Sequence, residues 1–318
     1  MKDNIRTTLT RRGLAGLAAG VGLAVALTAC GGSDPLATPS TSAASGDTGG
    51  GSLIIGSADF PESQIIAELY AGALTAAGVS VTSKPNIGSR EIYYRAVQDG
   101  SIDLVPEFAG NLLSHVEPQA PEASSDEILG ALPGKLPADL GVLDASKAES
   151  KDAMVVTKLT AEKYQLKSIE DLAKVCKDLT MGAPATFAER PYGFPGLKEN
   201  YGCEMKGLKP FNDGGGELTL QALLTDDVQV ADIYTNAPSI PDNDLVVLED
   251  PKNNFKANPV LPLYNKSKMT DEAKEALNNV SRILTTDDLA NLQREVVGSQ
   301  KKTPKEAAAT WLKDKGIV

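Results

Sequence analysis

The chain has 318 residues and a formal net charge of −11, and aromatic residues make up only 5% of it. An acidic chain without a basic patch is a poor partner for nucleic acid, so none is expected. It contains a single histidine, His115, and no His/Cys/carboxylate cluster with metal-ligand spacing, so no metal or other cofactor is expected. No Gly-x-Ser-x-Gly elbow, phosphate-binding loop or zinc-protease motif occurs, and Gly214-Gly215-Gly216 has turn character rather than dinucleotide-fingerprint spacing. Enzymatic activity is not expected.

Lys2, Arg6, Arg11 and Arg12 precede an uninterrupted Gly/Ala/Leu/Val run from Gly13 to Leu27. That run is shorter than the roughly 20 residues a spanning helix needs, so it reads as a secretory signal rather than an anchor. Leu27-Thr28-Ala29-Cys30 resembles a bacterial lipobox, which implies removal of residues 1–29 and lipidation of Cys30; the alternative is an ordinary signal with a chance cysteine. Thr10-Arg11-Arg12-Gly13-Leu14 is a weak hint of twin-arginine export, and the general route stays open. Residues 30–52 are Gly, Ser, Thr, Ala and Pro with few apolar side chains, and such a segment behaves as a flexible linker. With four basic residues and one acidic residue ahead of Cys30, the remainder carries 27 against 41, or −14.

From Leu53 onward, short strands alternate with helices. Leu53-Ile54-Ile55-Gly56 is a buried-strand run. Pro61 suits a first helical turn, and Ile65, Ile66, Leu69, Ala73 and Leu74 recur at helical spacing up to a stop at Gly78. Val79 and Val81 open a second strand, Ser89 suits the N-cap of a helix reaching Gln98, and Ile102 to Val105 is a third strand ending at Pro106. This β-α-β-α-β order predicts a mostly parallel sheet with helices on both faces. After a less regular stretch the pattern restarts. Strands are expected at Ala153–Val156, Leu179–Gly182, Val228–Tyr234 and Leu245–Leu248, with helices at Ile169–Val175 and Leu218–Leu224. The last third is helical over Asp271–Leu284, Asp287–Val297 and Pro304–Lys315, with Trp311 expected as a core anchor.

Two such modules predict an α/β protein of two lobes with a cleft between them. In open α/β sheets ligands bind beyond the carboxyl ends of strands, which selects the loops 57–63, 106–111, 182–194 and 234–237. Cys176 and Cys203 are the cysteines left after Cys30, and in an oxidising compartment they are expected to pair; two small buried thiols are the alternative.

Those loops carry ordered motifs: Gly56 to Glu62, Gly88-Ser89-Arg90-Glu91-Ile92-Tyr93, Ile102 to Asn111, Thr160 to Tyr164, Arg190 to Gly196, and Leu248 to Asn253. Together they resemble the substrate-binding lipoproteins of glycine betaine, choline and carnitine ABC importers (ProX/OpuC type). The resemblance covers the whole body. It implies a two-lobe, class II periplasmic binding-protein fold, with 53–151 plus 251–318 as lobe one and 152–250 as lobe two. It also implies closure around one small-molecule ligand and delivery to a permease with ATPase subunits. The implied setting is extracytoplasmic, a monomer held at the membrane by its lipid.

A quaternary ammonium donates no hydrogen bond and is best held by ring faces, while a carboxylate favours Arg. The resemblance implies that Phe108 stands where the family carries Tyr, that Asn111 is a polar contact, that Arg190 binds carboxylate, and that Tyr234 is a cage ring. Asp152 and Asn258 fall on cage positions usually held by Tyr, so the cage is incomplete by that pattern. Asp59 and Tyr192 complete the candidate ligand set. Each has a plainer role open to it: Arg190 as an ion-pair partner of Glu189 or another acid, Phe108 and Tyr234 as packing, Asp152 as a solvated hinge residue, and Asp59 and Glu107 as helix caps. The incomplete cage leaves open a same-fold binding protein for a different polar, hydroxylated or aromatic ligand, and beyond it a secreted α/β enzyme.

Overall fold

The computed structural model describes residues 52–318; the expected signal, the expected lipidation site Cys30 and the expected linker up to residue 51 lie outside them. The first strand, β1 (Leu53–Gly56), leads into α1 (Pro61–Ala76), which starts on Pro61 and buries one face from Ile65 to Leu74. It stops at Gly78, whose φ of +81° reverses the chain. Next come β2 (Val81–Lys84), α2 (Arg90–Gln98) with Ser89 at its N-cap, and β3 (Leu104–Phe108). The irregular middle stretch folds as α3 (Ala109–Val116), α4 (Ser125–Lys135) and β4 (Leu140–Val142). A capping box between Ser124 and Glu127 starts α4.

The chain then enters a second sheet. It comprises β5 (Met154–Val156), α5 (Lys158–Tyr164), α6 (Ile169–Ala173), β6 (Thr180–Ala183), α7 (Phe194–Tyr201), β7 (Gly207–Pro210), α8 (Glu217–Leu224), β8 (Val230–Asp232), α9 (Ser239–Asp242) and β9 (Val246–Val247). It returns to the first sheet as β10 (Val260–Asn265) and finishes with α10 (Asp271–Ile283), α11 (Thr286–Val297) and α12 (Pro304–Asp314).

The two sheets have strand orders β2-β1-β3-β10-β4 and β7-β6-β8-β5-β9. They have the same layout: parallel strands on one side, and an inserted antiparallel strand beside a short edge strand. The mostly parallel arrangement expected from the β-α-β-α-β order is present, and to it each sheet adds one antiparallel strand. In the first sheet β1 runs parallel to β2 and β3, but β10 runs antiparallel to β3 and β4. In the second, β6 is parallel to β7 and β8, while β5 is antiparallel to β8 and β9. The cause is topological. Each of β5 and β10 is the first strand reached after the chain crosses between sheets, so it enters from the opposite end. The expected strand Val228–Tyr234 shortens to Val230–Asp232, which leaves Tyr234 beyond the strand's carboxyl end.

Each sheet is covered on both faces. Ile65, Leu69, Tyr70, Leu277, Val280 and Trp311 pack one face of the first sheet, with Trp311 in the core as expected. Tyr93, Ile102, Leu112, Leu113 and Ile128 pack the other. Met154, Ile169, Met181, Phe187 and Leu197 fill one face of the second sheet, and Val155, Leu223, Val228 and Ile233 the other. The two crossing segments touch at a bridge between Glu149 and Pro259. No helix among the described residues is long and apolar enough to cross a membrane.

Cys176 and Cys203 are joined as a disulfide with their Cα atoms 5.5 Å apart, tying the turn before β6 to the end of α7 across 27 residues. Closing a loop of that length in the unfolded chain accounts for about 3.5 kcal/mol on the chain-entropy picture. The Cys176→Ala/Cys203→Ala double variant should therefore lose about 2–4 kcal/mol in urea unfolding, and the intact protein should show no free thiol by mass before reduction.

Candidate ligand cleft

A cavity of about 190 Å³ lies between the sheets, lined by loops that follow β1, β3, β6 and β8 and by the start of α2. Asp59, Phe108, Asn111, Arg190, Tyr234 and Asn258 all line it, so these candidate residues meet at one place. Tyr192 does not; it is buried behind Arg190, in an adjoining recess with His115. Asp152 does not either. It is buried behind Asn111, whose Nδ2 donates to Asp152 Oδ2 at 2.7 Å.

Three rings form one wall. Phe60 lies with its ring centroid 5.6 Å from Tyr234 and 6.1 Å from Phe108. Phe60 comes from the first lobe and Tyr234 from the second, so this wall is assembled across the cleft. Gly214 makes it possible: its φ is +62°, and a Cβ there would sit 2.8 Å from Phe60 Cβ. Phe60 was absent from the candidate set. It lies in the loop after β1 that the strand-end rule selects, and an aromatic residue in a chain so poor in rings was the signal available.

Two acids lie near Tyr234. Asp152 and Asp232 are both buried, and Asp232 Oδ1 receives no donor. Burial, then the neighbouring Asp152, pushes Asp232 well above the usual carboxylate range. Asn258 is 1% exposed and its polar groups are engaged with the protein. Its Oδ1 accepts from Asn111 N (3.0 Å), its Nδ2 donates to Ser150 O (2.7 Å), and its N–H donates to Glu149 Oε1 (2.8 Å). It thus orients Asn111 and pins the crossing segment.

The cavity lining also carries two guanidinium groups. Arg90, also absent from the candidate set, is buried; its Nε and Nη2 donate to Glu107 at 2.8 and 3.0 Å, and its Nη1 reaches Tyr192 Oη at 3.4 Å. Tyr93 Oη and Phe108 N also donate to Glu107. Glu107 is therefore the acceptor of a buried network rather than a helix cap. Arg190 donates from Nε and Nη2 to Glu91 Oε1 and Oε2 at 3.2 and 3.4 Å. Its ion-pair partner is a residue of the other lobe, not the adjacent Glu189. Partial burial raises the Glu91 carboxyl, but Arg190 outweighs it and holds the group down at about 2.

A second polar clamp lies beyond Phe60. Glu62, 2% exposed, accepts from Asn236 Nδ2 at 2.6 Å and from Ser150 Oγ at 2.8 Å, so it joins the first lobe, the second lobe and the crossing segment. Burial raises its carboxyl to about 7 despite those donors, with Asp152 adding to the rise.

Two α/β lobes facing each other across a ring-walled, charge-lined cleft define a solute-binding protein. The chain belongs to the family described as the substrate binding domain of ABC-type glycine betaine transport systems, whose family model matches residues 51–314. Members are the extracytoplasmic, non-enzymatic ligand-binding components of ABC importers and work with a permease. The chain is 27% identical over 263 residues to the carnitine transport binding protein OpuCC of Listeria monocytogenes, covering 78% of this chain and 82% of that one. It is 26% identical over 289 residues to a glycine-betaine-binding protein of Pseudomonas aeruginosa, covering 84% and 88%. A solved glycine betaine/carnitine/choline ABC transporter structure matches with a TM-score of 0.65 and 27% identity, covering 83% of this chain and 99% of that one. The lactococcal OpuAC structure, closed on glycine betaine, shares the fold with a TM-score of 0.60 at 17% identity, covering 83% and 96%.

The Glu62 carboxyl binds its proton more tightly in the folded protein than in the unfolded chain, where it titrates near 4.5. Its contribution to stability is therefore greatest below that value and falls as pH rises to about 7, by on the order of 3 kcal/mol. Glu62→Gln should flatten that part of the stability–pH curve relative to the parent. Parallel urea titrations between pH 4.5 and 8 measure it, and identical slopes for the two proteins would refute the assignment.

Proposed function

We propose that the protein is a lipid-anchored, monomeric solute receptor that binds one quaternary-ammonium compatible solute of the glycine betaine, choline and carnitine class. It hands that solute to a permease driven by cytoplasmic ATPase subunits. The observation that carries this reading is the wall of Phe60, Phe108 and Tyr234, with the buried acids Asp152 and Asp232 near Tyr234. Methylated ammonium groups are weakly hydrated and cannot donate hydrogen bonds, so ring faces backed by negative charge are the surface that suits them. The named specificities of the relatives support the same class.

The lobes comprise residues 53–151 with 251–318, and residues 152–250, with the crossings near 151 and 250 as the hinge. Phe60, Glu62 and Glu91 belong to one lobe and Tyr234, Asn236 and Arg190 to the other. Closure therefore completes the ring wall and forms two polar clamps at once, and a ligand that contacts both sides shifts the equilibrium toward the closed form. Cys30 carries the lipid, and residues 31–52 give the receptor its reach to the permease.

Calorimetry with glycine betaine, choline and carnitine tests the class: at least one should bind at a single site, and failure of all three would refute it. Phe60→Ala, Phe108→Ala and Tyr234→Ala should each weaken that ligand by about 2 kcal/mol, roughly thirtyfold. Cys30→Ser should move the protein from the membrane fraction to the soluble extracytoplasmic fraction.

A further inference from the structure

Both guanidiniums at the cleft already hold a carboxylate of the protein on their Nε/Nη2 edge. Arg90 spends Nε and Nη2 on Glu107, inside the first lobe. Arg190 spends the same edge on Glu91, from the first turn of α2, and keeps its Nη1 edge. A carboxylate is held best by two parallel N–H groups of one guanidinium; the Nε/Nη2 edge of each is taken by a carboxylate of the protein itself, and Arg90 Nη1 is on Tyr192, so only the Nη1 side of Arg190 is left to a ligand. Counting charges over the cleft walls, Arg90 and Arg190 cancel against Glu107 and Glu91. What remains is Asp59 at the exposed rim and, buried beyond the lining, Asp152 and Asp232 near Tyr234 and Glu62 beyond Phe60. The field left over favours a cation. A zwitterion would also have to place its carboxylate on the single remaining edge of Arg190, or displace a Glu91 that the helix holds in position.

We propose that Glu91 is a specificity-determining residue that occupies Arg190 in place of a ligand carboxylate. The cleft thereby selects a quaternary-ammonium cation without a carboxylate, of the choline kind, over zwitterionic betaines. This inference rests on the quaternary-ammonium reading above.

Calorimetry on the whole protein with choline and glycine betaine, for the parent and for Glu91→Gln, tests it. The parent should bind choline at least about tenfold more tightly than glycine betaine. Glu91→Gln keeps the side-chain shape, removes the competing charge and frees the Arg190 fork, so it should shift the betaine-to-choline affinity ratio toward betaine by about tenfold or more. The Glu91 side chain is 37% exposed, so this variant is expected to fold, and the parent's own preference is a readout that needs no variant. A parent that prefers glycine betaine, or a ratio unmoved by Glu91→Gln, overturns the role of Glu91 and leaves the ligand class standing. Binding of neither ligand, with carnitine also inert, overturns the class and this inference with it.

Discussion

A buried ion pair must be satisfied on every side, because each charge removed from water costs several kcal/mol unless its hydrogen-bonding groups are used. Arg90 and Glu107 meet that constraint with a two-pronged contact, and the remaining capacity of Glu107 is filled by Tyr93 Oη and the backbone N–H of Phe108. The consequence is geometric. Glu107 lies near the end of β3, so fixing its carboxylate fixes the turn into α3 from which Phe108 and Asn111 reach the cleft. Arg90 lies at the start of α2, so the same pair sets the helix that carries Glu91 toward the other lobe. The last Arg90 nitrogen reaches Tyr192 of the second lobe, and one buried contact thus connects both lobes to the ligand wall.

Much of this was legible. Strand and helix positions followed from apolar runs of four residues and from helical spacing, because both lobes alternate short strands with amphipathic helices. Strand direction was not legible at β5 and β10. A strand's neighbours are set by where the chain re-enters a sheet, and nothing local to Met154–Val156 or Val260–Asn265 records that. The stretch between β3 and β5 was also opaque, since α4 contains Gly130, Pro133 and Gly134, residues that ordinarily mark its absence.

In the cleft the residue types were readable but their partners were not. Arg190 has an acid beside it in sequence, Glu189, yet pairs with Glu91, 99 positions away. Asp152 and Asn258 looked like holes in an aromatic cage. The structure places Asp152 behind the cavity lining and Asn258 at it, nearly buried, and both hold Asn111 in position, while Phe60 supplies a ring from a different loop. A cage is a spatial arrangement, so a ring lost at one position can be replaced from another element that reaches the same volume. Position-by-position comparison registers only the loss.

The Asp232 carboxyl shows why this replacement changes more than shape. A tyrosine contributes a ring face and a neutral hydroxyl; an aspartate at position 152 contributes a charge that its neighbour Asp232 then resists. Two buried carboxyl groups share one compartment near Tyr234. Their oxygens favour a cation in the cleft at low effective dielectric, whereas an anionic group on the same ligand is left with the Nη1 side of Arg190, because Glu107 and Glu91 hold the Nε/Nη2 edges. On the reading proposed above, the ring faces hold the methylated ammonium and the distribution of fixed charge decides what else the ligand carries.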